Sequence, residues 1–120
     1  MTGKIKRLEE LARDEVESII AALPAPLAER ARLVPVLFER TPAKNSGIED
    51  DLLGLFTGLE FAHEGDEPMP PQIILFLENL WDEAGENESA FRNEVRITYL
   101  HELGHYLGLD EADLTERGLE

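Results

Sequence analysis

The chain has 120 residues, 42% of them apolar, with 26 acidic against 11 basic side chains and a net charge of −15. That length suits one packed domain, and the apolar share excludes a wholly disordered chain. Cysteine is absent, so no disulfide framework and no thiolate metal site can form, and any metal must sit on His, Asp or Glu. So acidic a surface repels phosphates, which argues against nucleic acid and anionic membranes as partners. Most of the charge reads as solvated surface, and its hint at basic or neutral substrates carries little weight. No run approaches the ~18 apolar residues of a membrane span. The start, Met1-Thr2-Gly3-Lys4-Ile5-Lys6-Arg7-Leu8-Glu9-Glu10, lacks the apolar stretch of a signal peptide. A single cytoplasmic domain over residues 1–120 is the expectation.

In chain order, Ile5, Leu8, Ala12, Val16, Ile19 and Ile20 recur at three- and four-residue spacing and predict an amphipathic helix over about 4–22. Pro24 and Pro26 end it, and Pro26 suits the first turn of a short second helix, Leu27 to Arg32. Leu33 to Phe38 reads as a strand that Pro35 pushes towards an edge. A loop follows from Thr41 to Gly47. Leu52 to Gly58 is a short strand weakened by its two glycines. Glu64 to Pro71 is a second loop. Gln72 to Glu78 is the clearest strand, a continuous apolar run expected of a strand buried on both faces. Asn79 to Ala84 forms a helical turn or two, which Gly85-Glu86-Asn87 breaks. A long helix is predicted from about Ser89, as N-cap, to Leu107, with Gly108 as the glycine that stops it. The tail, Asp110 to Glu120, holds one short helix ending at Gly118.

The long helix closes on His101-Glu102-Leu103-Gly104-His105. Helical residues four apart share a face, so both imidazoles can reach one zinc ion. Glu102, on the flank of that face, can take a proton from a zinc-bound water. Gly108 can turn the chain back, so that Glu111 returns as third ligand and leaves a fourth position for water. Asp110 and Asp113 are rivals for that third place. Asp110 also suits a cap of the tail helix. By composition alone this H-E-x-x-H arises by chance at roughly one percent, and the glycine and the later acid make it rarer still. Two other readings remain: histidines bonded to carboxylates without metal, and a zinc that stabilises a non-catalytic protein-interaction domain. The presence of Glu102 argues against the second, since a structural site needs no base.

The pattern H-E-x-x-H-x-x-G-x-x-E, near the end of a chain this short, resembles the minimal zincin-like metallopeptidase family of bacteria. Leu53 to Gly58, the strand Ile73 to Leu77 and the stretch Phe91 to Leu100 fit the same resemblance, which covers about the last two thirds of the chain. It implies a compact α+β zincin-like fold, with a small mixed sheet packed against an active-site helix. It implies Zn2+ held by His101, His105 and Glu111, Glu102 as general base, and a peptide or protein as substrate. The longer metzincins place a histidine where Glu111 stands and a methionine turn after it. Here Met1 and Met69 both precede the motif. Thermolysin-like enzymes take their glutamate ligand from a later helix, so the chain matches neither group in full.

Tyr106, His63 and Arg96 are candidates to steady an oxyanion. Tyr106 lies about 140° round the helix from His101, which also suits plain packing, and His63 falls in a loop. Either Leu33 to Phe38 or Leu52 to Phe56 offers a strand edge to an extended peptide. Trp81, with Phe76 and Leu80, reads as core.

Overall fold

A computed structural model describes residues 2–58 and 70–107. The first helix, α1 (Thr2–Ala22), turns Leu8, Leu11, Ala12, Val16, Ile19 and Ile20 inward, the stripe its spacing predicts. Pro24 stops it and caps α2 (Ala25–Arg32), with Pro26 in the first turn. The Pro24 carbonyl accepts the amides of Leu27 and Ala28 at 3.0 and 2.9 Å.

Strand β1 covers Val36–Glu39, three residues later than the sequence suggests. Leu33 and Val34 instead donate their amides back to Arg30 and Ala31, closing α2. Pro35 has no amide to give, but its carbonyl accepts the Ile73 amide at 3.0 Å. Proline therefore stands where the chain enters an edge strand, a position it tolerates. Strands β2 (Gly54–Thr57) and β3 (Gln72–Phe76) complete a mixed sheet of order β1-β3-β2. β1 runs parallel to β3, with Val36 opposite Ile73, and β2 runs antiparallel, with Gly54 opposite Leu75. The central strand buries Ile73, Ile74, Leu75 and Phe76 in succession, as its unbroken apolar run requires.

The third strand also ends sooner than expected, because Leu77 and Glu78 begin α3 (Leu77–Glu83). Leu77 and Leu80, three apart, point into the core. The Glu78 amide donates to the Arg40 carbonyl at 3.0 Å. Its carboxylate accepts two bonds from the Arg40 guanidinium, each 3.2 Å, which raises the Arg40 pKa above its ordinary value, chiefly through those bonds. Gly85 and Glu86 then turn the chain with positive φ, +67° and +59°. The last helix, α4 (Glu88–Leu107), is capped by Asn87, whose Oδ1 accepts the Ala90 amide at 2.9 Å. Asn87 thus takes the capping place expected of Ser89, since it satisfies a first-turn donor that otherwise has no partner.

Helix α4 packs on α1, α3, β2 and β3. Its buried stripe, Phe91, Val95, Tyr99 and Leu103, meets Ile73, Leu75, Leu77 and Leu80 in the core. Four helices and one small mixed sheet give the described residues an α+β architecture. Among them no helix is long and apolar enough to cross a membrane. The expected tail helix and Gly108 lie outside the described residues.

Candidate metal centre

Opposite its buried stripe, α4 presents Ile97, His101 and His105 to solvent, four residues apart and so on one face. The two Nε2 atoms stand 3.2 Å apart, with ring centroids separated by 4.8 Å and planes inclined at 62°. A carboxylate oxygen of half-buried Glu102 joins them, the three ligand atoms lying within 4.8 Å of one another. Two nitrogens bound to one tetrahedral zinc at about 2.0–2.1 Å would be about 3.3–3.4 Å apart. The imidazoles are already close to that spacing, and imidazole nitrogen is a donor that zinc accepts, while the Glu102 carboxylate stands close enough to reach a water beside them. The residues present therefore fit the metal.

His101 and Glu102 border an open groove of about 430 Å³ between α4 and the segment that leads into β2. One wall is Ile97, Thr98, His101 and Glu102, and the other runs from Glu49 and Asp51 through Leu52 and Leu53 to Gly54. Two devices fix that second wall. A Cβ on Gly54 would lie 2.6 Å from Thr98 Cγ2, so the missing side chain is what lets β2 approach the helix. The Asn79 side-chain amide donates to the carbonyls of Asp50 and Leu52, both at 2.8 Å, and pins the turn between them. Sequence reasoning weighed Gly54 only as a weakness in a strand, although a glycine there is also the signal of close approach. Nothing in the pattern around Asn79 marked its role.

His101, Glu102 and His105 are thus brought together as expected. Glu111, its rivals Asp110 and Asp113, and His63 lie outside the described residues. Tyr106 packs against Phe56, ring centroids 6.0 Å apart, under the Arg30 guanidinium at 5.5 Å, and the groove is lined by neither Tyr106 nor Arg96. Trp81 is half-buried on the core, edge-on to Phe91 at 5.8 Å, with the Lys4 ammonium 5.8 Å from its ring.

Tyr99, two residues before His101, serves the core instead. Its side chain is fully buried and its hydroxyl has no hydrogen-bond partner among the described residues. Burial first, and the Glu17 carboxylate second, push its pKa up to about 12, while Arg32 opposes them.

An H-E-x-x-H helix packed beneath a small mixed sheet, with its two histidines converging and His101 and Glu102 bordering a groove beside β2, is the arrangement of a zincin. The sequence model of the zincin-like metallopeptidase family matches residues 31–119, most of the chain, and the protein belongs to that family. No curated protein matches it. Membership implies a metallopeptidase ancestry and zinc as the metal, for which the His101, Glu102 and His105 group provides a fitting site.

Proposed function

We propose that residues 1–120 act as one zinc-dependent peptidase domain, with Glu102 as general base and His101, His105 and Glu111 as the residues that hold the metal. One observation carries the reading: two imidazole nitrogens converge to 3.2 Å beside a carboxylate, and His101 and Glu102 line a groove open to solvent. Bound zinc would supply a Lewis acid that polarises a carbonyl and makes water acidic near neutral pH. Glu102 takes the proton of the attacking water and returns it to the leaving amine, so its net charge is restored at the end of the turnover. Its half-buried position holds the carboxylate beside the two imidazoles. Strand β2, which among the described residues pairs with β3 alone, offers backbone groups to an extended peptide as one more strand.

The test is zinc content and peptide cleavage measured together on protein without a histidine tag. About one zinc per chain, lost in His105→Ala, and cleavage of a mixed peptide library, lost in Glu102→Ala with zinc retained, are expected. Zinc bound in the wild type but no cleavage under any condition would leave the metal as a stabiliser of a non-catalytic interaction domain. An absence of zinc after reconstitution at neutral pH would overturn the metal reading altogether.

A further inference from the structure

We propose that the groove beside the metal centre is a pocket for a basic side chain, lysine or arginine, of the peptide that enters it. This rests on the peptidase reading for what enters, and deepens it by naming the chemistry selected. Three features of the groove fit such a side chain. Its inner lining is aliphatic: Leu52 and Leu53 are half-buried, and Ile97 stands 50% exposed, a large apolar side chain left bare beside His101. Methylene stems of lysine and arginine lie on such surface while their charged heads seek water or an anion. The outer rim carries that anion twice over, in the exposed carboxylates of Glu49 and Asp51. Among the described residues, no basic side chain other than His101 lines the groove.

Unpaired acids are ordinary on a chain of net charge −15; the place of these two sets them apart. Elsewhere Glu9, Glu15, Glu17, Glu78 and Glu88 each meet an arginine within 4.0 Å. Glu49 and Asp51 take part in no ion pair among the described residues, and they face the wall that carries His101 and Glu102. Their backbone is also held before any ligand arrives. The Glu49 carbonyl accepts the Leu52 amide at 3.2 Å, and Asn79 fastens the carbonyls of Asp50 and Leu52. A wall that does not need to reorganise loses less entropy on binding. The volume, about 430 Å³, is within the range of about 300–1,000 Å³ usual for small-ligand sites.

The experiment separates binding from turnover. Zinc-loaded Glu102→Ala protein is titrated with fluorescein-labelled heptapeptides of glycine and alanine that differ only at the central residue: Lys, Arg, norleucine or Glu. Lys and Arg peptides are expected to bind about fivefold to tenfold tighter than the norleucine peptide. The preference should shrink with added salt, because the rim is exposed. It should disappear in the added double substitution Glu49→Gln, Asp51→Asn, and survive Glu83→Gln, which removes an exposed acid of α3. Equal binding of Lys and norleucine peptides overturns the proposal. So does a preference that persists in the double variant, or binding weaker than about 1 mM for every peptide. Wild-type cleavage of the same peptides tests the underlying reading independently. Basic preference in binding without cleavage refutes the peptidase and keeps the pocket, whereas cleavage indifferent to the central residue refutes the pocket and keeps the peptidase.

Discussion

Two of the grooves lined by the described residues carry charges arranged in opposite ways. The first, about 260 Å³, lies between α1, α2 and β1 and is lined by Arg13, Glu17 and Arg32 among apolar residues such as Val16, Ile20 and Phe38. Its charges are mutually engaged. Arg13 bonds Glu9 at 2.9 Å and lies over the Phe38 ring at 4.9 Å, and Arg32 stands 3.9 Å from Glu17. The second groove, beside α4 and β2, brings His101 and Glu102 opposite Glu49 and Asp51, two carboxylates that pair with nothing among the described residues. Charges matched within the chain hold elements together weakly and leave little for a ligand. An excess of one sign, held on a fixed wall, remains available to something from outside.

That contrast breaks most sharply at Glu102. Glu102→Ala is expected to lower kcat/KM on any cleaved peptide by about 10²–10⁴, with an unchanged denaturation midpoint, since the carboxylate is only half-buried. Equal loss of activity and stability would make it a structural residue. Next in size is Gly54→Ala. The new methyl must displace Thr98 or move β2, at a cost of about 1–3 kcal/mol of stability, and further substitution of Thr98→Ser should restore part of it. Chemical denaturation of the two single variants and the pair measures this coupling. No coupling would mean that β2 and α4 are not held at the distance described.

A smaller effect is expected at Tyr99. Its folded pKa lies above the ordinary value, so the unfolded chain releases the phenolic proton first. The associated stability is fully present below about pH 10 and is lost as pH rises towards 12. Tyr99→Phe should remove that alkaline loss. It should also match or exceed wild-type stability at neutral pH, because a buried hydroxyl without a partner costs about 1–3 kcal/mol. Denaturant midpoints across the alkaline range decide it, and an unchanged alkaline slope would place the ionisation elsewhere. Smallest of all, Arg32→Met breaks a pair whose side chains are 57% and 65% exposed. It should shift stability by less than about 1 kcal/mol and leave peptide cleavage untouched. A marked loss of cleavage would show that the two grooves are not independent.

Much of this was legible in the sequence because it rests on local rules. The period of α1, the proline that opens α2, the buried run of β3 and the four-residue spacing of the histidines each follow from helix or strand geometry acting on nearby residues. The short-range order therefore came with the chain: which segments are helix or strand, that sulfur takes no part, and that His101, Glu102 and His105 share one side of a helix. Boundaries were less legible where two segments compete for the same backbone groups. Leu33 and Val34 close α2 rather than extend β1, and Asn87 caps α4 ahead of Ser89.

Only the tertiary structure decided which wall His101 and Glu102 would face. Gly54 meets Thr98 across 44 positions of sequence, Asn79 reaches back to the carbonyls of Asp50 and Leu52, and through them Glu49 and Asp51 come to border the same groove as Glu102. No periodicity records such contacts. They depend on β2 pairing antiparallel to the central strand and on how closely that strand can lie against α4, and both are settled by packing between residues far apart in the chain.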